Sequence, residues 1–595
     1  MRRVIVPAAA ALIALAPAAP ATAAGPQQKV PAAGPQQKVP AAGPQQKVPV
    51  AEGYGGAAAT VDLDATRAAI AVLRKGGNAV DAAVAAGATL GVTEPYSAGL
   101  AGGGFLVYYD AARRKVFTID GRETAPRAMT ATAFEGVPFE EGVTSGLSAG
   151  VPGTVATWDL ALRRFGTLSL RQALQPAIEV ASKGFVVDQT FYDQTAANAA
   201  RFKDFTSTAK LYLPNGAPPP VGSVFRNPEL ADTYRELGRR GPGWLYGGRL
   251  GQEIVATVKR PPVTPGSTRN VRPGLMETSD LTAYRALLRE PTKISFKGLD
   301  VYGMAPPSSG GSTVGEALNI LEALPRVGLH EYLESSRLAF ADRNAYIGDI
   351  PGVPLRELLS DGFAKERACL IGERALTSPV APGSPDGSYE PCARPGDASS
   401  PAAKAEGPET THLVVADRWG NVVAYNLTIE STGGNGIVVP GRGVLLNNEL
   451  TDFTFGPAPG DPNLPGPGKR PRSSMAPTLV FKGGEPVLAV GSPGGATIIT
   501  TVLQILVNRY EFGMSLPDAV AAPRASQRNS AQTQAEQAFL DRYRSELEAR
   551  GHAFAPTPEI GAATGLEFVG RGRVQAVAEP VRRGGGSAMV VSPRR

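Results

Sequence analysis

Residues 409–430 read E-T-T-H-L-V-V-A-D-R-W-G-N-V-V-A-Y-N-L-T-I-E, and the chain is best understood outward from them. Two runs, 411–416 and 422–430, flank the polar turn Asp417-Arg418-Trp419-Gly420-Asn421. Alternation on either side of a Gly/Asn turn predicts a β-hairpin. With a period of two, Val423, Tyr425, Leu427 and Ile429 share one face, and Asn426, Thr428 and Glu430 share the other. An apolar face behind a Thr/Glu face predicts a strand with its back in a core and its front in a site.

The segment before this hairpin differs sharply in composition. Residues 377–409 are rich in Pro, Gly, Ser and Ala and hold almost no apolar run. Such a segment buries too little surface to fold by itself, so a flexible tail is expected over 376–409. It runs straight into Thr410. Were the Glu409–Thr410 bond cut, Thr410 would carry a hydroxyl and a free α-amine on one residue. An α-amine titrates near ~7.7–8.0, so its neutral fraction can act as general base for the neighbouring hydroxyl. No histidine is needed.

Beyond the hairpin, Lys469-Arg470-Pro471-Arg472-Ser473-Ser474-Met475 leads into a second predicted hairpin, 478–481 and 487–490. Gly491-Ser492-Pro493-Gly494-Gly495 then opens an apolar helix over 496–507. Unpaired N–H groups at a helix start suit an anion, so Gly494 and Gly495 read either as a tight turn or as an oxyanion cradle. Upstream, 105–109 and 116–120 form another hairpin that ends at Gly121-Arg122-Glu123. Arg122 reads either as a bidentate carboxylate clamp at a strand end or as a solvated surface arginine. Asp64 is expected to cap a helix that stops at Gly76-Gly77, and Asn78 a second one. Helices are expected over 155–165, 170–183, 228–237, 315–324 and 332–345.

Composition narrows the partners. The chain has 595 residues, 43% of them apolar, and a formal charge of +6. Arg2, Arg3, Lys29, Lys38 and Lys47 stand in an acid-free front and account for all but one of those charges. A nearly neutral body offers no electrostatic reason for binding nucleic acid or anionic membrane. Residues 1–23 have the basic start, apolar middle and Ala-Thr-Ala end of a secretory signal peptide, and no later run is apolar enough to span a bilayer. A spacer, 24–51, follows with G-P-Q-Q-K-V-P-A-A repeated from 25 and 34. The two cysteines, Cys369 and Cys392, either pair after export, closing a loop worth roughly 3 kcal/mol, or remain free thiols. Three scattered histidines, His330, His412 and His552, make no HExxH or other metal set, and no cofactor is implied. His412 lies on the strand face of Thr410 and reads as a structural or a catalytic residue.

The motifs T-T-H-L-V-V-A-D-R-W-G-N at 410–421, L-L-N-N-E-L-T-D-F at 445–453, K-R-P-R-S-S-M-A-P-T at 469–478 and G-S-P-G-G at 491–495 together resemble the γ-glutamyltranspeptidase (glutathione hydrolase) family of N-terminal-nucleophile hydrolases. The resemblance runs back through 305–313, 337–349 and 150–156. It implies a four-layer αββα sandwich, of mixed α/β class. It also implies self-cleavage between Glu409 and Thr410 into a large piece, 52–409, and a small piece, 410–595, that stay together as a heterodimer. Thr410 then becomes the nucleophile, Thr428 steadies its amine, and Gly494 and Gly495 form the oxyanion hole. Arg122, Ser473 and Ser474 face a substrate α-carboxylate, while Glu430, Glu449 and Asp452 face its α-ammonium. The implied partners are glutathione and related γ-glutamyl compounds, with water, amino acids or peptides as acceptors. Two departures stand out. Glu430 occupies a position that is Asn in many members, and residues 454–468 form a short Pro-rich loop without the covering Tyr, which implies an open site. The rival readings are a glutaryl-cephalosporin acylase of the same superfamily and a secreted wall-associated binding protein.

Overall fold

A computed structural model describes residues 46–389, 409–456 and 458–594; the signal-like segment, the repeats and Cys392 lie outside them. Its frame is one continuous 13-stranded sheet folded on itself, with every strand pairing antiparallel. In chain order the strands are β1 (Val50–Thr60), β2 (Gly103–Asp110), β3 (Lys115–Asp120), β4 (Leu287–Arg289), β5 (Thr292–Phe296), β6 (Leu299–Gly303), β7 (Thr411–Asp417), β8 (Val422–Thr428), β9 (Thr478–Lys482), β10 (Glu485–Gly491), β11 (Thr564–Gly570), β12 (Arg573–Ala578) and β13 (Ser587–Ser592). One half runs β4-β3-β2-β8-β7-β1 and the other β1-β12-β11-β10-β9-β6-β5, with β13 also paired to β1.

β1 joins the halves. Its first residues, Val50 to Gly53, pair with β12; residues 56–59 pair with β7. The crossover falls at a bulge between Tyr54 and Ala57, in the sequence Gly53-Tyr54-Gly55-Gly56. Gly55 and Gly56 take φ of 78° and 122°, angles that side chains resist. A Cβ on Gly56 would also stand 2.8 Å from the Ala416 carbonyl oxygen.

The two halves face each other across Val107, Val414, Ala416, Val422 and Ala424 on one side and Leu479, Phe481, Ala489, Leu566 and Ala576 on the other. Leu413, Val415, Val423, Tyr425 and Leu427 point away from that interface into a helical layer that includes helices Leu63–Arg74, Ala79–Thr93 and Thr154–Phe165. Val480, Leu488 and Val490 point outward into helices Gly310–Glu322, Leu329–Tyr346 and Thr497–Tyr510. Helix, sheet, sheet, helix is the order of layers expected. No helix among the described residues is long and apolar enough to cross a membrane.

Several expectations shift. The front face of β8 enters a site only from Thr428 onward; Val422 and Ala424 on the same face are sheet-to-sheet core, and Asn426 donates to the Ser492 carbonyl (3.0 Å). The first helix is capped by Asp62, whose side chain accepts from Ala65 N–H, and Asp64 lies in its first turn. Asn78 caps the second helix in a reciprocal capping box with Asp81. The expected helix 170–183 breaks at Leu174, before Pro176. Residues 376–389, expected to belong to a tail, are tied to the body: Leu376 N–H donates to Glu334 (2.8 Å), and Val380 N–H donates to Asn529 (2.7 Å).

Gly56→Ala should therefore cost roughly 2 kcal/mol or more, combining an unfavourable φ with a backbone clash, and lower the thermal midpoint by about 2 °C or more. Gly99→Ala, where nothing lies within 4 Å of the added carbon, should cost about 0.5 kcal/mol or less. Equal midpoints for the two variants would remove β1 as the strained joint.

Candidate functional site

The β7–β8 register pairs Leu427 with Thr411 and Asn426 with His412. It carries Thr428 alongside Thr410, which stands one residue before β7 and is 4% exposed. In this uncut chain the Thr428 hydroxyl is a hub. It donates to the Glu409 carbonyl oxygen (3.1 Å) and accepts from the Thr410 hydroxyl (3.4 Å) and from Glu430 N–H (2.9 Å). One hydroxyl thus touches the carbonyl of the Glu409–Thr410 bond and the hydroxyl beside it.

Glu430 has φ of 78°, rare for a side-chain-bearing residue, and such strain gathers at functional sites. The turn aims its carboxylate at Asn448, Thr451 (2.9 Å) and Ser431. Arg122 is 1% exposed, so the surface-arginine reading fails. Its guanidinium pairs with Glu449 and Asp452 and also donates to the carbonyls of Pro471 (3.1 Å) and Arg472 (3.0 Å). Burial works against its charge, but Glu449, Asp452 and Glu123 outweigh that and raise its pKa. The arginine expected to await a substrate carboxylate is thus already engaged by two of the three acids expected to await an ammonium. Burial pushes Glu449 well above the usual carboxylate range and Glu123 up to about 7, with Arg122 opposing both.

Ser473 and Ser474 complete the wall. Ser474 Oγ accepts from Arg343 (2.7 Å), which also donates to Ser309 Oγ (2.8 Å). Arg343 sits in the 337–349 motif and was given no role by sequence. The Pro-rich loop supplies Asn463, which donates to the Asp452 carbonyl (2.7 Å) and accepts from Arg472 N–H (2.8 Å), while Phe455 stacks on Phe134 at 4.3 Å. Arg122, Thr410, Thr428, Glu430, Asp452 and Ser474 line, with Gly495 and Ile498, a cavity of only about 20 Å³. The open site expected from the short loop is not found there in the uncut chain. A larger space of about 570 Å³ lies on another side of Glu409, and Gly494 lines it. Gly494 and Gly495, with φ of 134° and 54°, thus each line one of two cavities that share Glu409.

His412 lines neither cavity. It is fully buried between the sheets, its Nδ1 paired with Thr564 Oγ1 (2.8 Å), and burial lowers its pKa to about 3. A histidine held neutral there is structural. The sequence also gave no sign of Arg583, near the end of the chain. It donates to the Thr410 carbonyl (2.9 Å) and to the Glu409 carboxylate (2.6 Å), with Glu94 3.8 Å away. Cys369 is disulfide-bonded. No group of three or more His, Cys, Asp or Glu able to hold a metal occurs among the described residues.

Residues 65–589 match the family described as Gamma-glutamyltranspeptidase. The chain is 37% identical over 533 residues to the glutathione hydrolase proenzyme of Bacillus subtilis strain 168, covering 86% of this chain and 88% of the relative. It is 34% identical over 549 residues to that of Escherichia coli K12, covering 88% and 90%. Among solved structures it is similar to a cephalosporin acylase from Bacillus halodurans, with a TM-score of 0.80 and 27% identity over 93% of this chain and 98% of that one.

Glu94 gives the site a pH signature. Burial pushes its pKa from 4.5 up to about 7, with Arg583 opposing. A carboxyl raised on folding stabilises the fold below its unfolded pKa, and that contribution is lost as pH rises through the folded value. Glu94→Gln should remove this loss, flattening the fall in the thermal midpoint between pH 4.5 and 7 by the equivalent of roughly 3 kcal/mol. Identical profiles for native protein and variant would show that Glu94 ionises normally.

Proposed function

The chain belongs to the gamma-glutamyltranspeptidase family, and from that premise we propose that it is an exported, self-processing enzyme that removes the γ-glutamyl group of glutathione and related amides and passes it to water or an amine. The observation that carries this reading is the Thr428 hub, which joins the Thr410 hydroxyl to the carbonyl of the Glu409–Thr410 bond. The Thr410 hydroxyl adds to that carbonyl, the peptide nitrogen leaves, and water resolves the ester. Thr410 becomes the first residue of a small piece, 410–595, which the shared sheet keeps beside the large piece, since β7 pairs with β1 and β8 pairs with β2.

The freed α-amine then acts as base for its own hydroxyl. Thr428 steadies that amine, and the Gly494 and Gly495 backbone receives the oxyanion. The γ-glutamyl group forms an ester with Thr410 Oγ, and the amine portion leaves. Glu430, Glu449 and Asp452 line the small cavity against the single guanidinium of Arg122, and even with burial favouring the neutral form of Glu449 that balance favours a group carrying its own positive charge. Ser473 and Ser474, the latter backed by Arg343, and the Arg122 guanidinium hold the α-carboxylate; Glu430, Glu449 and Asp452 hold the α-ammonium. That charge pattern favours a glutamyl over a glutaryl group, which lacks the ammonium. Export is supported by the signal-like start and by the disulfide at Cys369, since disulfides persist in oxidising compartments.

Two substitutions test the reading. Thr410→Ala should leave an uncut chain with no turnover, and a variant cut normally before residue 410 would place the nucleophile elsewhere. Asp452→Ala removes one partner of a buried charge, typically worth about 2–5 kcal/mol. KM for a γ-glutamyl anilide should thus rise roughly 30-fold or more, while a glutaryl anilide is far less affected. Equal losses on both substrates would rule out recognition of the ammonium by Asp452.

A further inference from the structure

The side chain of Glu409 occupies a receptor of its own. Its Oε2 accepts from Arg583 (2.6 Å), Ser97 Oγ (3.2 Å) and Gln194 Nε2 (3.5 Å). Each donor is positioned by other parts of the body. Arg583 has φ of 53° and donates its N–H to Glu559 (3.0 Å), and its guanidinium also reaches Ser97 Oγ (2.9 Å). Ser97 N–H donates to the Glu94 carbonyl (3.0 Å), and Gln194 stands on helix Gln189–Phe202. The nearby acid, Glu94, is pushed up to about 7 by burial and so neutralises Arg583 only in part. Gln194 and Arg583 also line the space of about 570 Å³, a volume that suits a small organic ligand.

Breaking the Glu409–Thr410 bond removes the covalent tie that holds the Glu409 carboxylate here, and every donor in the receptor belongs to the remaining body. We propose that the receptor then anchors the carboxylate of the second substrate, an amino acid or short peptide that accepts the γ-glutamyl group. By the same contact it holds the carboxylate of the donor's leaving amine. Glu409 is thus a built-in occupant of the acceptor site before cleavage. This rests on the function proposed above and specifies its second subsite.

The distances suit that role. Arg583 donates to the carbonyl of Thr410 itself (2.9 Å), so the anchor lies within one residue of the reacting hydroxyl. An extended residue spans about 3.3–3.6 Å, so an acceptor with its carboxylate on Arg583 can bring its amine to the ester on Thr410. The neutral amine nitrogen attacks the ester carbonyl, and a C–N bond forms as the C–Oγ bond breaks. The amine's proton passes through the Thr410 α-amine to Oγ, leaving a γ-glutamyl amide and regenerated enzyme. No other reactant is required.

The test compares glycylglycine with glycylglycinamide as acceptors, with γ-glutamyl-p-nitroanilide as donor and acceptor concentrations expressed as free amine. A charge-assisted hydrogen bond is worth about 1.5–3 kcal/mol, so the processed native enzyme should show a KM for glycylglycine roughly 10-fold or more below that for the amide. Arg583→Gln should bring the two values to within about 2-fold, and Arg583→Lys should restore part of the preference. Equal KM values in the native enzyme, or a preference that survives Arg583→Gln, would overturn the proposal. If Arg583→Gln blocks processing, Gln194→Leu serves instead: a narrowed preference supports the anchor, and an unchanged one counts against it. Release of nitroaniline without any acceptor separates the two readings. Its absence defeats the proposed function; its presence without a carboxylate preference defeats only the acceptor anchor.

Discussion

The antiparallel register of β7 and β8 is the constraint on which the rest depends. Pairing Leu427 with Thr411 sets Thr428 beside Thr410, so that one hydroxyl meets a carbonyl oxygen, a neighbouring hydroxyl and a backbone N–H at once. A slip of one residue would turn Thr428 into the helical layer and bring Leu427 to the front. That slip is opposed by burial on both faces, because Leu413, Val415, Val423 and Tyr425 fill one core while Val414, Ala416, Val422 and Ala424 fill another. The geometry at Thr410 is therefore enforced by two hydrophobic cores.

Around that register the chain buries an unusual density of charge. Arg122 with Glu449 and Asp452, Arg470 with Asp120, and Arg367 with Asp342 are all nearly inaccessible to water. Buried pairs of this kind add little net stability, because desolvation offsets attraction, but breaking one leaves an uncompensated charge at high cost. The pairs of Arg122 and Arg470 border the site, Arg470 also donating to the Arg122 carbonyl (2.7 Å). Arg122 is further gripped by the carbonyls of Pro471 and Arg472, and Asn463 ties Asp452 to Arg472. The Pro-rich loop thus positions the acids as well as bordering them.

Much of this was legible in sequence. The hairpins at 105–120, 411–430 and 478–490 announce themselves by alternation, and the motifs named the residues that gather around the small cavity. What escaped did so for physical reasons. β1 reads as Gly- and Ala-rich because it must bend between two half-sheets, so it lacks the β-branched signature of a strand. Helix Gln189–Phe202 carries a polar face and only a partial apolar stripe, whereas Arg249–Lys259 has a regular stripe of Leu250, Ile254, Val255 and Val258 that was legible in the sequence. Arg583 is about 170 residues from Thr410 and one of many arginines; only the closure of the sheet brings them together. The ion pairs of Arg122 were hidden too, since charge type suggests partners for a substrate but does not show that those groups first pair with each other.

Self-processing at Thr410 is the central claim, and the most direct measurement is N-terminal sequencing of the purified native protein after separation under denaturing conditions. The account predicts two fragments, the smaller beginning Thr-Thr-His-Leu-Val. An intact single chain, or a smaller fragment with a different first residue, would contradict it.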